Sequence, residues 1–135
     1  NRNKYISIVK AAKDQILKNV GVAYIDLNGL KAINDNYGHS KGDKFICTAA
    51  DTFKMVFPDN SYRIGGDEFV IIEQNIERDK YEERITALKN IMQDKQVSIS
   101  IGVLWREYVD DLEELLKAAD KLMYKEKEMY HNNRE

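Results

Sequence analysis

The sequence predicts an α+β domain, a sheet built around a hairpin with helices packed against it. Two observations carry this expectation. Apolar residues recur at helical spacing in some segments and alternate or run together over short stretches in others, so helices and strands are both present. The glycine-rich turn at Gly65-Gly66 lies between two strand-like segments and joins neighbouring antiparallel strands, which departs from the regular alternation of a doubly wound sheet.

The elements follow in order. Tyr5, Ile8, Val9, Ala12 and Ile16 share one helical face, predicting an amphipathic helix that ends near Asn19 to Gly21. Val22 to Ile25 reads as a buried strand, and Asn28-Gly29-Leu30-Lys31 leads from it into a second helix. Ile46, Ala49, Ala50, Phe53 and Phe57 mark a further helix, stopped by the only proline, Pro58. A strand over Tyr62 to Ile64 enters the turn, where Gly65 and Gly66 are expected to take positive φ and to let a ligand approach the backbone. Phe69 to Ile72 is the returning strand. Tyr81, Ile85, Leu88 and Met92 define a helix with a heavily charged outer face. Val97, Ile99, Ile101 and Val103 alternate as a strand, and Leu112, Leu115, Leu116, Ala119, Leu122 and Met123 give the last helix.

With 135 residues, 43% hydrophobic and 33% charged, the chain is expected to form one soluble domain over 1–135. Its apolar runs are too short for a transmembrane helix or secretory signal, so a cytoplasmic domain without membrane contact is expected. The lone Cys47 reads as a small residue packed on a helix. A net charge of −2 offers no bulk attraction for nucleic acid or anionic lipid. A start without Met suggests a piece of a longer protein.

Two acids stand where chemistry could be organised. Asp26 follows an apolar strand and Asp67 sits in the turn, so a sheet pairing those strands would bring two carboxylates together. Oxygen ligands of this kind suit magnesium, which keeps positions for water and substrate phosphates. Zinc is not suggested, because the two histidines and one cysteine lack ligand spacing. Taken singly, either acid would read as a helix cap or a turn former.

Gly65-Gly66-Asp67-Glu68-Phe69 resembles the signature of the GGDEF family of diguanylate cyclases. The likeness extends upstream through Tyr24-Ile25-Asp26-Leu27-Asn28-Gly29-Leu30-Lys31-Ala32-Ile33-Asn34-Asp35-Asn36-Tyr37-Gly38-His39-Ser40-Lys41-Gly42-Asp43. Downstream it includes Val97 to Val103 and Ala119 to Lys127, and Asn1-Arg2-Asn3 looks like the tail of a motif that opens the domain. The resemblance implies the ferredoxin-like palm of nucleotide cyclases, a mainly antiparallel sheet carrying a catalytic hairpin.

It also implies roles for particular residues. Asp26, the Leu27 carbonyl and Asp67 would hold Mg2+, with Mn2+ as a substitute. Main-chain N–H groups at Gly29 and Leu30 would cradle a triphosphate at the start of a helix, with Lys31 beside the reacting phosphates. Asp43 would accept the two donors on the guanine edge, and adenine would present it with an acceptor instead. Asn34 would add an amide contact. His39 reads either as a neighbour of the base or as a packed structural histidine. Gly65 and Gly66 would line the substrate, Lys127 would bind phosphate, and Asp67 or Glu68 would assist deprotonation.

The implied activity condenses two GTP into cyclic di-GMP and two pyrophosphates, one GTP per protomer of a facing homodimer, with a fused sensory module as regulator. Two departures stand out. Val56-Phe57-Pro58-Asp59 keeps the acid of the family's inhibitory Arg-x-x-Asp motif and lacks its arginine, so product inhibition is expected to be weak or absent. His131 stands where the family commonly has an arginine after Tyr124-x-x-Lys127, and histidine carries less charge at pH 7. The rival readings are a GTP-binding regulatory module without turnover, a cyclic di-GMP receptor and a purely structural domain.

Overall fold

The computed structural model describes residues 1–133, so the last two residues of the expected 1–135 domain lie outside it. The order is α1 (Arg2–Ala12), β1 (Leu17–Leu27), α2 (Leu30–Tyr37), α3 (His39–Val56), β2 (Ser61–Arg63), β3 (Glu68–Glu73), α4 (Arg78–Asp94), β4 (Ile99–Val109) and α5 (Leu112–Asn133). The four strands form one antiparallel sheet in the order β2-β3-β1-β4. From β1 onward this is the split β-α-β-β-α-β arrangement of ferredoxin-like folds, with the β2–β3 hairpin inserted beside the central strand.

Alternation along β1 divides the core into two layers. Ala23, Ile25 and Leu27 pack with Phe53 of α3, with Phe57 at its C-cap and with Tyr81 and Leu88 of α4. Phe53 and Phe69 meet as tilted rings with centroids 4.8 Å apart, and Tyr81 reaches through the layer to donate a hydrogen bond to the Val22 carbonyl. On the other face Val20, Val22, Val70 and Ile72 meet Leu112, Leu115, Leu116 and Ala119 of α5. Gly102 allows α5 to lie directly on the sheet, since a Cβ there would fall 2.0 Å from the Ala119 carbonyl oxygen. That close approach brings the C-terminal half of α5 over the end of β1.

Several expectations are corrected in detail. The first helix ends at Ala12, and the chain turns through Asp14 at φ 63°, leaving Ile16 72% exposed outside the helix. Asn19 to Gly21 therefore belong to β1, which is much longer than Val22 to Ile25. Val97 precedes β4, and that strand continues well beyond Val103. Cys47 is exposed on α3 and packs against nothing in the core, because it falls on the solvent side of the helix. Gly65 and Gly66 do not adopt positive φ. Their turn is held instead by Arg63, whose Nε and Nη2 donate to the Gly65 and Gly66 carbonyls at 3.1 and 2.7 Å. Among the described residues no helix is long and apolar enough to cross a membrane.

Candidate functional site

The site grows from the C-terminal end of β1. As the central strand, β1 pairs Asp26 with Glu68 on one side and with Ser100 on the other. The Leu27 N–H donates to the Asp67 carbonyl at 2.9 Å, which fastens the signature turn to the strand end. The Asp26 and Asp67 carboxylates are thereby brought together, as the strand pairing expected from the sequence requires.

The crowding of charge shows in the titration of Asp26. Burial and the neighbouring Asp67 carboxylate push Asp26 up to about 6, opposed by the positive charge of Lys127. Glu68 is raised as well, by burial first and then by Asp67 and Asp120, while Arg2 and Lys127 oppose the shift. Asp26 Oδ1 is buried without a hydrogen-bond partner, and Lys127 Nζ stands 3.7 Å from it. A buried carboxylate oxygen with no hydrogen bond, beside a second acid and paired with Lys127 only at 3.7 Å, suits an added cation.

Asn28 is the residue that sequence reasoning passed over. It is a buried polar side chain, and its amide donates to Ser98 Oγ at 3.0 Å. Its Oδ1 accepts from Ser100 Oγ at 2.9 Å and from Lys127 Nζ at 2.9 Å. The main-chain N–H of Asn28 also donates to the Ser98 carbonyl. This network fixes the turn between β1 and α2, and with it the direction of the Leu27 carbonyl, which accepts from Lys127 Nζ at 3.0 Å. The signal was present in the sequence: Ser98 and Ser100 alternate with Val97, Ile99 and Ile101, which puts two hydroxyls together on the opposite face.

Beyond that turn, Gly29 caps α2 in the left-handed conformation at φ 79° and supplies no side-chain acceptor. The first-turn N–H groups are thus left for water or a ligand, and the helix dipole favours an anion there. They border a cavity of about 390 Å³ lined by Leu27, Gly29, Leu30, Lys31, Ala32, Asp35, Asp67, Lys127, Tyr130 and His131. The expected metal, phosphate and catalytic residues Leu27, Gly29, Leu30, Lys31, Asp67 and Lys127 all meet in this one cavity.

The remaining candidates lie around it. Asp26 and Glu68 sit behind Asp67 on the sheet, and Gly65 lies beside Glu68, where a Cβ would be 3.3 Å from its Oε1. Gly66 is exposed with open space next to its Cα. Asn34 and Asp43 are placed at the junction of α2 and α3. Asn34 Oδ1 is buried against Gly42, where any side chain would collide with it, and has no hydrogen-bond partner. Asp43 follows on the exposed face of α3. His39 opens α3 in an exposed position, which excludes the packed structural reading.

The donors present suit a hard divalent cation. Asp26, Asp67 and the Leu27 carbonyl are all oxygen ligands, and the Lys127 ammonium already lies against two of them. Among the described residues no three His, Cys, Asp or Glu side chains gather as a metal cage. A short protein donor set of this kind matches magnesium, which is commonly held by one or two carboxylates plus substrate phosphates.

Residues 1–133 match the family model described as "Diguanylate cyclase, GGDEF domain". The chain belongs to the GGDEF domain family. This GGDEF domain is 38% identical over 124 residues to the signaling protein YkoW of Bacillus subtilis, covering 82% of this chain and 15% of that protein. It is 31% identical over 138 residues to diguanylate cyclase DgcM of Escherichia coli, covering 94% of this chain and 34% of the relative. The chain thus spans only a minor part of the curated relatives it matches. Its fold is similar to that of the FimX GGDEF domain from Pseudomonas aeruginosa, with a TM-score of 0.79 at 20% identity, covering 93% of this chain and 86% of that one.

Proposed function

We propose that this GGDEF domain is one half-site of a diguanylate cyclase. The observation that carries the reading is the meeting of Asp26 and Asp67 beside the open first turn of α2, with Lys31 and Lys127 on the same cavity. Anion-binding groups lining one cavity, with Asp67 on its wall and Asp26 behind it as a two-carboxylate cation site, suit a nucleoside triphosphate with its divalent ion.

Asp26, Asp67 and the Leu27 carbonyl would hold Mg2+, or Mn2+ in its place. The ion supplies charge neutralisation at the phosphates and orients them. The chain's own groups do the rest. The N–H groups after Gly29 receive the triphosphate, Lys31 and Lys127 offset its charge, and Asn34 with Asp43 reads the guanine edge. The 3′-hydroxyl of one GTP attacks the α-phosphorus of the other, and the bond to the leaving pyrophosphate breaks. The hydroxyl proton passes to Asp67 or Glu68, directly or through water. Two such steps convert two GTP into cyclic di-GMP and two pyrophosphates.

Since the described residues form one site of this kind, two copies would face each other with a GTP apiece. The much greater length of the relatives supports a fused regulatory region that sets how often two domains meet, and a GTP-consuming domain belongs in the cytoplasm. A second reading, a module that binds GTP without turnover, is favoured by one feature, His131 in the cavity where the family commonly has arginine. The two separate in one experiment. With Mg2+ and either GTP or ATP, the cyclase forms cyclic di-GMP from GTP alone, and Asp67→Ala abolishes it. GTP binding with no product supports the regulatory module instead.

A further inference from the structure

Tyr130 has no assigned role, yet it lines the cavity in which the triphosphate is proposed to sit. A Cβ on Gly29 would lie 3.3 Å from the Tyr130 hydroxyl, so that oxygen stands over the N-terminal cap of α2, beside the same N–H groups that would receive phosphate. Lys127 Nζ lies 5.8 Å from the centre of the Tyr130 ring, and the His131 ring meets it edge-on at 5.5 Å. The aromatic face attracts the ammonium and limits where it can swing. Hydroxyl, ammonium and helix N–H groups converge on one spot. The two carboxylates of the cavity, Asp35 and Asp67, would repel phosphate, which makes each nearby donor count for more.

We infer that Tyr130 is a substrate-contacting residue of this chain: its hydroxyl donates a hydrogen bond to the terminal phosphates of the bound nucleoside triphosphate, while its ring keeps Lys127 within the cavity. The inference rests on the GTP-binding reading above. The tyrosine supplies a neutral donor to a charged acceptor, a strong class of hydrogen bond.

The test compares the unaltered chain with Tyr130→Phe, which keeps the ring and its contact with Lys127 and removes only the hydroxyl. The probes are guanosine 5′-(α,β-methylene)triphosphate with Mg2+, which cannot be cyclised, and GMP, which lacks the terminal phosphates. Titration calorimetry is expected to show about tenfold weaker binding of the triphosphate to the variant and equal binding of GMP. Equal triphosphate affinities for the two proteins would overturn the inference, as would an equal loss for both probes. A Tyr130→Ala protein that weakens while Tyr130→Phe does not would overturn the hydroxyl contact and leave only the ring. An unaltered chain that binds neither probe overturns the GTP reading itself, and is recognised before any variant is compared.

Discussion

Lys127 Nζ donates a hydrogen bond to the Leu27 carbonyl at 3.0 Å and stands 3.7 Å from Asp26, so an ammonium from the last helix occupies the neighbourhood of two proposed ligands of the metal. A cation held at the proposed site would compete with the lysine for the same oxygens. Magnesium bound there with a triphosphate would require Lys127 to leave the Leu27 carbonyl for phosphate, a short movement for a long flexible side chain.

Lys127→Met should accordingly act in opposite directions on two ligands. Binding of the triphosphate is expected to weaken about tenfold, since a charged hydrogen-bond donor is lost. Mn2+ alone is expected to bind more tightly, because the competing charge has gone. Calorimetry with each ligand separately checks both signs. A loss of affinity for both would show that Lys127 only supports the fold.

Asp26 gives a pH prediction for the metal-free protein. Its folded value of about 6 lies above its ordinary 3.8, through burial and the Asp67 carboxylate. A raised value means that its contribution to stability is complete below about pH 4 and is lost as pH climbs through 6. In EDTA, Asp26→Asn should therefore melt at a higher temperature than the unaltered chain at pH 7.5, with the gap closing by pH 4. The same variant is expected to make no product. Thermal melts across that range, with an activity assay, measure the conflict between stability and function at this acid.

Gly42 separates packing from recognition. A Cβ there would fall 1.7 Å from Asn34 Oδ1, so alanine must turn the Asn34 side chain away. Helix propensity favours alanine over glycine by about 1 kcal/mol, which offsets the rearrangement. The expected result for Gly42→Ala is a Tm near that of the unaltered chain and a KM for GTP raised about fivefold, the effect of roughly one hydrogen bond. A large fall in Tm would show that the contact is structural.

Val56 bears on feedback. It is partly buried against the core that contains Phe53 and Phe57, and Asp59 turns the chain after it at φ 65° while its carbonyl accepts from Tyr62. Valine offers no forked donor to a phosphate or a base. Initial rates are expected to stay level when cyclic di-GMP is added up to the GTP concentration. A rate that falls with added product would place an inhibitory site elsewhere.

The parts of this domain that were legible from sequence are those where local chemistry is decisive. Asp26 follows an apolar strand and Asp67 a paired glycine, and β-sheet pairing alone brings them together. Boundaries were harder to read where solvent hides the pattern. At the start of β1, exposed Lys18 and Asn19 at φ 52° interrupt the alternation, so eleven residues read as four. Beyond Val103, β4 carries Arg106, Glu107 and Tyr108 into solvent, and its outer half loses the apolar signal. The left-handed conformation expected at Gly65 and Gly66 was unnecessary once Arg63 held both carbonyls. Contacts set by how α5 lies on the sheet could not be read from spacing at all. Lys127 on Leu27, and Tyr130 over Gly29, depend on the close approach at Gly102.

The most direct test is the rate of cyclic di-GMP formation from GTP and Mg2+ measured over a wide range of protein concentrations, with Asp67→Ala alongside. Two facing half-sites require the rate per domain to rise with concentration until dimers saturate, and the variant to form no product. Absence of product at every concentration while GTP remains bound, or a rate per domain that never changes, would contradict a catalytic site shared between two copies.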